Sequence, residues 1–371
     1  MSLQEQYQAL ARKYRPQSFD DVVGQRHVVT ALKNSIDNQR LHHAYLLTGT
    51  RGIGKTTVAR IIAKCLECET GVCSNPGDTE FTRAIAAGNF PDVIEIDAAS
   101  QTKVDDTRQL LENTQYPPMQ GRFKVYIIDE VHMLSSSSFN ALLKTLEEPP
   151  EYVKFILATT DPQKIPQTVL SRCLQFQLHA LSTEEIAGRI REIASKEGIE
   201  CESEASFILA RAARGSMRDA LSLCDQAVAL GNGSILTQNV LSMIGTAGDG
   251  LIAQILDLLK TNSKLKLGDV IAQIKKISPN YKNLLTDLVQ IFHDLALYQM
   301  LGTNSPDNLY STSQRLLTQF ASDFSPEGLQ LYYQICMQGL DEYRVAPDGA
   351  VVFEMTALRL LAFTPEKKKI G

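Results

Sequence analysis

Eight residues constrain this chain more than any others. Gly49-Thr50-Arg51-Gly52-Ile53-Gly54-Lys55-Thr56 has the complete spacing of a phosphate-binding loop. The run Ala44-Tyr45-Leu46-Leu47-Thr48 before it reads as a strand, and Val58, Ile61, Ile62, Cys65 and Leu66 after it recur on one face of a helix. Such a loop needs that setting. Its glycines let the backbone curl until the N–H groups converge on an anion, and the following helix presents its positive N-terminal end to the same charge. Lys55 adds a cation for the β- and γ-phosphates, and the Thr56 hydroxyl is a ligand for Mg²⁺. The alternative is a glycine-rich turn with a chance Lys-Thr, against which the strand–loop–helix context argues.

The alternation of strand and helix continues to about residue 180. Residues 93–97, 123–128, 153–159 and 173–176 are short, nearly continuous apolar runs, which suit strands covered on both faces of a parallel sheet. After Leu181 the strand signals fade. Ser182 and Glu185 have capping-box spacing, and helices are expected over 183–197, 203–213 and 217–230. Gly231-Asn232-Gly233-Ser234 marks a turn. From about residue 246 the chain reads as helices again, with breaks near 278–280 and 302–306 and a frayed, charged tail at 365–369. The expected fold class is α/β, with a five-stranded parallel sheet carrying the P-loop over residues 1–181. A small helical domain is expected over 182–245 and an all-α domain over 246–371.

Composition excludes several classes. The chain has 371 residues, 44% hydrophobic and 21% charged, a globular balance with no stretch approaching the roughly 20 apolar residues of a membrane span. The segment Met1 to Gln6 does not read as a secretory signal, so seven cysteines imply reduced thiols or a metal site. A net charge of −5 is wrong for a protein that coats DNA alone, so any contact with nucleic acid is local or shared with partners.

Further candidates for chemistry follow the loop. Val125-Tyr126-Ile127-Ile128 runs into Asp129-Glu130, placing two acids at the end of a strand. Asp129 would hold Mg²⁺ through water and Glu130 would polarise an attacking water; a solvated strand end is the alternative. Thr160, after the strand ending Ala158-Thr159, could bond water or the γ-phosphate, or reflect strand propensity alone. Arg172, in Ser171-Arg172-Cys173, suits a finger that reaches a neighbour's γ-phosphate. Arg218, in Gly215-Ser216-Met217-Arg218-Asp219, opens a helix where a cation is unfavourable unless a phosphate compensates it. For both arginines a surface ion pair is the competing reading.

Taken together these residues resemble the AAA+ ATPases, and within them the gamma/tau family of bacterial DNA polymerase III clamp-loader subunits. The resemblance spans nearly the whole chain. It is carried by Ala11-Arg12-Lys13-Tyr14-Arg15-Pro16, by Asp21-Val22-Val23-Gly24-Gln25, by His42-His43-Ala44-Tyr45-Leu46 and by Ile94-Glu95-Ile96-Asp97-Ala98-Ala99-Ser100. Its most specific part runs from Asp129-Glu130-Val131-His132-Met133-Leu134 through Phe139-Asn140-Ala141-Leu142-Leu143-Lys144-Thr145-Leu146-Glu147-Glu148-Pro149-Pro150. Ser171-Arg172-Cys173 and Gly215 to Ser222 complete it.

The resemblance implies an ATP hydrolase with no polymerase site of its own, which opens a sliding clamp and loads it onto primed DNA. It implies ATP contacts from Ala11, Arg15, Pro16, Val22 and Val23 and from every residue between Gly49 and Thr57, namely Gly49, Thr50, Arg51, Gly52, Ile53, Gly54, Lys55, Thr56 and Thr57. Lys55, Thr56, Asp129, Glu130, Thr160 (first sensor), Arg172 (trans finger) and Arg218 (second sensor, in a lid) would be catalytic, with Thr56 and Asp129 on Mg²⁺. The last domain resembles the collar that joins such subunits into a five-membered ring. The implied partners are delta and delta-prime subunits, further gamma/tau copies, the clamp and primer–template DNA, in the cytoplasmic, nucleoid-associated replisome of a bacterium and without a membrane. A branch-migration motor of the same superfamily, or a subunit that binds nucleotide without hydrolysing it, are the alternatives.

There is one departure from the family pattern. Members commonly carry a four-cysteine zinc module after the phosphate-loop helix, whereas this chain has Cys65, Cys68 and Cys73 and no cysteine at Pro76, Thr79 or Thr82. Three thiols are one short of a structural zinc site, so packed or exposed thiols in a shortened loop are expected over zinc. The regions that longer family members use to contact helicase and polymerase are not recognised, so the short form or a truncation is expected.

Overall fold

A computed structural model describes residues 8–100, 113–244, 249–277, 280–302, 314–346 and 348–363. The segment Met1 to Gln6, the break at 303–306 and the tail at 365–369 lie outside the described residues, as do Ser278 and Pro279. The chain divides into two compact units, Met1–Leu236 and Thr237–Gly371.

The first unit is built on five parallel strands: β1 (Ala44–Thr48), β2 (Val93–Asp97), β3 (Lys124–Asp129), β4 (Val153–Thr159) and β5 (Leu174–Gln177), in the order β2-β3-β4-β1-β5. Every residue of β1 and β4 is buried, as their unbroken apolar runs demand of central strands with helices on both faces. Successive residues serve opposite faces. Tyr45, Leu47, Val125, Ile127 and Ile156 pack with Val28 and Leu32 of the helix Arg26–Asp37 and with Val58, Ile61 and Ile62 of the helix Lys55–Leu66. Leu46, Tyr126, Ile128, Phe155 and Leu157 pack on the other side with Phe139, Leu142 and Leu146 of the helix Ser136–Glu147. β3 and β5 each lie one residue later than expected, so Asp129 is the last residue of its strand.

The helices Thr183–Glu197, Ser203–Ala212 and Met217–Leu230 follow. The Ser182 hydroxyl accepts the Glu185 N–H at 3.2 Å and Glu185 returns the contact to the Ser182 N–H at 2.9 Å, the capping box expected from the sequence. Strand structure does not end with β5: Glu200–Cys201 and Ser234–Ile235 form a two-residue parallel ladder. It is too short for any hydrophobic period to announce.

The second unit is helical among its described residues, with Thr237–Ile244, Asp249–Thr261, Lys264–Ile277, Tyr281–Leu301, Gln314–Phe320, Pro326–Glu342 and Gly349–Ala362. The helix Thr237–Ile244, which the sequence sets at the end of the middle domain, groups here. Leu285, Leu288, Phe292 and Leu295 meet Tyr332 and Cys336 in its core. Arg359 pairs with both carboxylate oxygens of Glu342 at 2.7 and 2.9 Å. No described helix is long and apolar enough to cross a membrane.

Candidate functional site

All five strands of a parallel sheet end at one edge, and here that edge gathers the candidate residues. The loop after β1 curls through Gly49, Gly52 and Gly54, all at positive φ, and Gly54 stands immediately before the helix that Lys55 opens. A side chain would not fit at two of these positions. A Cβ on Gly49 would stand 2.5 Å from the Leu178 carbonyl, and one on Gly52 would stand 2.0 Å from Ser216 Oγ. The Lys55 ammonium is buried and donates to the Gly49 and Thr50 carbonyls, each at 2.9 Å. Burial depresses its pKa, opposed by the charges of Glu130 and Asp129.

Thr56, Asp129, Glu130 and Thr160 meet in front of that loop. The Thr56 hydroxyl donates to Asp129 Oδ2 at 2.5 Å, so two hard oxygens lie together as a Mg²⁺ site requires. Asp129 Oδ1 accepts the Glu130 N–H at 2.9 Å. Glu130 has φ +48, a left-handed backbone that non-glycine residues seldom adopt and that concentrates at functional sites. Its Oε2 accepts the Thr160 N–H at 3.0 Å and the Thr160 hydroxyl at 2.8 Å. His132 has no role in the sequence-based expectations. Its Nδ1 lies 2.9 Å from Thr159 Oγ1 and 3.4 Å from Glu130 Oε2. A histidine two residues after a strand-ending acid pair is the signal that could have flagged it.

The helices after β5 reach the same edge. Ser216 caps the helix Met217–Leu230 by accepting the Asp219 N–H, and the Arg218 N–H donates to the Gly52 carbonyl at 3.3 Å. The N-terminal segment is strapped to these helices. The Leu10 N–H donates to Asp225 at 3.0 Å, Lys13 pairs with Glu197 at 2.6 Å, and the Tyr14 hydroxyl also donates to Glu197. Arg15 and Pro16 are thus held beside the phosphate-loop helix, with Arg15 Nε donating to Thr57 Oγ1 at 3.2 Å, while Ala11 lies in the short helix Leu10–Lys13 that packs on the helix Met217–Leu230. Val22 and Val23 are half-buried, and the adjacent Gln25 side chain exchanges hydrogen bonds with the His179 backbone at 2.7 and 3.1 Å. Arg51 is exposed, while Ile53 is packed in the core beneath the loop.

Arg172 is not at this edge. Leu174 is level with Tyr45, four residues before Gly49, and Arg172 precedes Leu174. At about 3.3 Å per residue it stands roughly 13 Å or more from its own loop, beyond the reach of its side chain. Its guanidinium instead meets Glu147 Oε1 at 2.8 Å and the Thr168 carbonyl at 2.7 Å.

Cys65 sits in the last turn of the phosphate-loop helix, and Cys68 and Cys73 in the segment that follows it. Cys68 and Cys73 have their sulfurs 3.4 Å apart, while Cys65 Sγ points to the Ser74 carbonyl at 3.7 Å. Burial drives the Cys65 thiol pKa far upward, which opposes the thiolate a metal needs. Among the described residues no group of three or more His, Cys, Asp or Glu is arranged to hold a metal ion.

A parallel sheet with a phosphate loop, a strand-ending acid pair and a helical lid over the loop defines a P-loop NTPase of the AAA+ class. Comparison with known proteins narrows it. Residues 24–182 match the family described as DNA polymerase III, delta subunit; residues 185–233 match the DNA polymerase III clamp loader subunit, ATPase lid domain; and residues 235–370 match DNA polymerase III subunits gamma and tau domain III. The chain is 50% identical over 360 residues to DNA polymerase III subunit tau of Escherichia coli, covering 97% of this chain and 56% of that protein. It is 42% identical over 360 residues to DNA polymerase III subunit gamma of Buchnera aphidicola subsp. Baizongia pistaciae, covering 95% of this chain and 96% of that one. The chain therefore belongs to the gamma/tau family of DNA polymerase III subunits, while spanning little more than half the length of the tau relatives. Among solved structures, the Thermotoga maritima RuvB Holliday junction branch migration motor is similar at 24% identity and a TM-score of 0.47, covering 71% of this chain and 85% of that one.

Proposed function

We propose that this chain is the ATP-hydrolysing subunit of a bacterial clamp loader. It binds ATP between the domain of residues 1–181 and the lid that follows. ATP binding opens a sliding clamp, hydrolysis lets it close on primed DNA, and the chain contains no polymerase site.

The backbone of the loop from Gly49 to Gly54, with Lys55, cradles the phosphates. Thr56 and Asp129 would hold Mg²⁺, which when bound neutralises charge on the β- and γ-phosphates. Glu130 orients water for in-line attack. The Glu130 carboxylate and the γ-phosphate compete for the Thr160 hydroxyl, so nucleotide that takes up that hydroxyl loosens Glu130, which then keeps only the Thr160 N–H. Arg218 enters from the lid, and Ala11, Arg15, Pro16, Val22 and Val23 border the base. Arg172, far from its own loop, completes the site of a neighbour. The assembly so formed is a ring of gamma/tau copies with delta and delta-prime subunits, joined through the C-terminal helical domain and working on DNA in the cytoplasm.

The observation that carries this reading is the convergence of Thr56, Asp129, Glu130 and Thr160 at the edge where the lid docks on Gly52. The test is ATP hydrolysis by the assembled loader with and without sliding clamp and primed DNA. Clamp and DNA together are expected to stimulate turnover, and Lys55→Ala to abolish it. Wild-type turnover by Lys55→Ala, or indifference to clamp and DNA, refutes the reading.

A further inference from the structure

If Arg172 serves a neighbour's ATP, the contacts that hold it become part of that neighbour's chemistry. An arginine side chain is long and loses much rotamer freedom when it must meet a phosphate on another molecule. Here two close acceptors limit that freedom beforehand, with Ser171 Oγ a third, longer one at 3.5 Å from Nη1. Glu147 Oε1 takes the Nη2–H at 2.8 Å, and the Thr168 carbonyl takes the Nη1–H at 2.7 Å.

Both acceptors sit on fixed backbone. Glu147 ends the helix Ser136–Glu147, which is anchored by Phe139, Leu142 and Leu146. Thr168 lies in the short helix Gln167–Leu170, whose Val169 packs in the same core cluster as those side chains. A guanidinium has five N–H donors, so these two contacts leave others for a phosphate. The Glu147 side chain is 54% exposed and that of Arg172 33%. An ion pair so exposed contributes little to the fold, and the carboxylate's pull on the cation is weakened by solvent while its directional effect remains.

We propose that Glu147 is a positioning residue for the Arg172 finger, holding the guanidinium in the attitude in which it meets the neighbour's γ-phosphate. This rests on the reading of Arg172 as a trans-acting group.

The experiment uses the full-length subunit assembled with its loader partners, clamp and primed DNA, with ATP hydrolysis followed in single turnover. Glu147→Ala is expected to slow hydrolysis about tenfold, the scale of a lost orienting contact rather than a lost charge. Glu147→Gln, whose amide oxygen still accepts an N–H, is expected to stay within about threefold of wild type. ATP affinity and melting temperature should be unchanged in both. In an Arg172→Ala background, adding Glu147→Ala should have no further effect, because the group it orients is gone. Hydrolysis by Glu147→Ala at the wild-type rate or faster overturns the positioning role, as does a further loss in the Arg172→Ala background. If Arg172→Ala itself hydrolyses ATP normally, the trans-finger reading fails and this inference falls with it. A slow Arg172→Ala beside a silent Glu147→Ala condemns the positioning role alone.

Discussion

Alanine at Gly52 would separate the lid from the phosphate loop. Gly52 has φ +78, and a Cβ there would stand 2.0 Å from Ser216 Oγ and 3.1 Å from Ser216 Cβ, where ordinary contact begins at 3.4 Å. The left-handed backbone alone costs an alanine about 1–2 kcal/mol. The overlap acts in addition: Ser216 must retreat by roughly 1 Å or more, pulling on the Arg218 N–H bond to the Gly52 carbonyl. Gly88 is a matched control, with φ +77 and no atom within 4 Å of where the added methyl would stand, so Gly88→Ala carries the backbone cost without the overlap. Gly88→Ala should lose about 1–2 kcal/mol of stability in denaturant titrations, and Gly52→Ala at least as much. Only Gly52→Ala should weaken ATP binding, by about tenfold, which corresponds to about 1.4 kcal/mol. Adding Ser216→Gly removes the colliding atoms at a cap cost of a few tenths of a kcal/mol, and should restore affinity. A Gly52→Ala defect that Ser216→Gly leaves unrelieved, or normal ATP affinity in Gly52→Ala, refutes the claim that this contact belongs to the nucleotide-binding arrangement.

Three further outcomes are expected. Arg172→Ala should leave ATP binding by the isolated subunit intact while slowing hydrolysis in the assembly about a thousandfold or more; equal hydrolysis by isolated subunit and complex would contradict a trans role. Burial raises the Glu67 pKa to about 7, against the pull of the Arg122 and Phe123 N–H groups that its carboxylate accepts. The folded state then holds a proton that the unfolded chain releases near pH 4.5, so this group's contribution to stability falls as pH rises from about 4.5 to 7, by on the order of 3 kcal/mol. A urea midpoint that rises through that window, after comparison with Glu67→Gln, would contradict the sign. The Asp92 carboxylate is buried and accepts the N–H groups of Met119, Gln120 and Gly121, each at 2.7 Å. Asp92→Asn keeps only one oxygen for three donors and should cost about 2–3 kcal/mol in a chemical melt; a neutral result would mean that the turn re-forms around the amide.

The central sheet was legible because β1 and β4 must be apolar throughout to be buried on both faces, and the phosphate loop was legible because each of its residues has a separate task. Asp129 and Glu130 could be read at a strand end for the same reason. What could not be read arises from residues distant in sequence. Nothing local in Gly52 announces Ser216, and nothing in Asp92 announces a turn 27 residues later. The pairing of Glu147 with Arg172 depends on where a helix and a strand happen to end. The ladder of Glu200–Cys201 with Ser234–Ile235 is fixed by the helices around it rather than by strand-forming residues.

The separation of Gly49 and Arg172 along one sheet has a genetic consequence. If each chain spends its loop on one nucleotide and its arginine on another, an arginine defect falls on the chain next door, while a loop defect stays with its bearer. A Lys55→Ala chain can still lend its arginine, and an Arg172→Ala chain can still offer its loop. Mixed arrays of the two cripples would regain activity at every junction that happens to unite their sound halves, so sequential order, and not mere proportion, would determine how much survives.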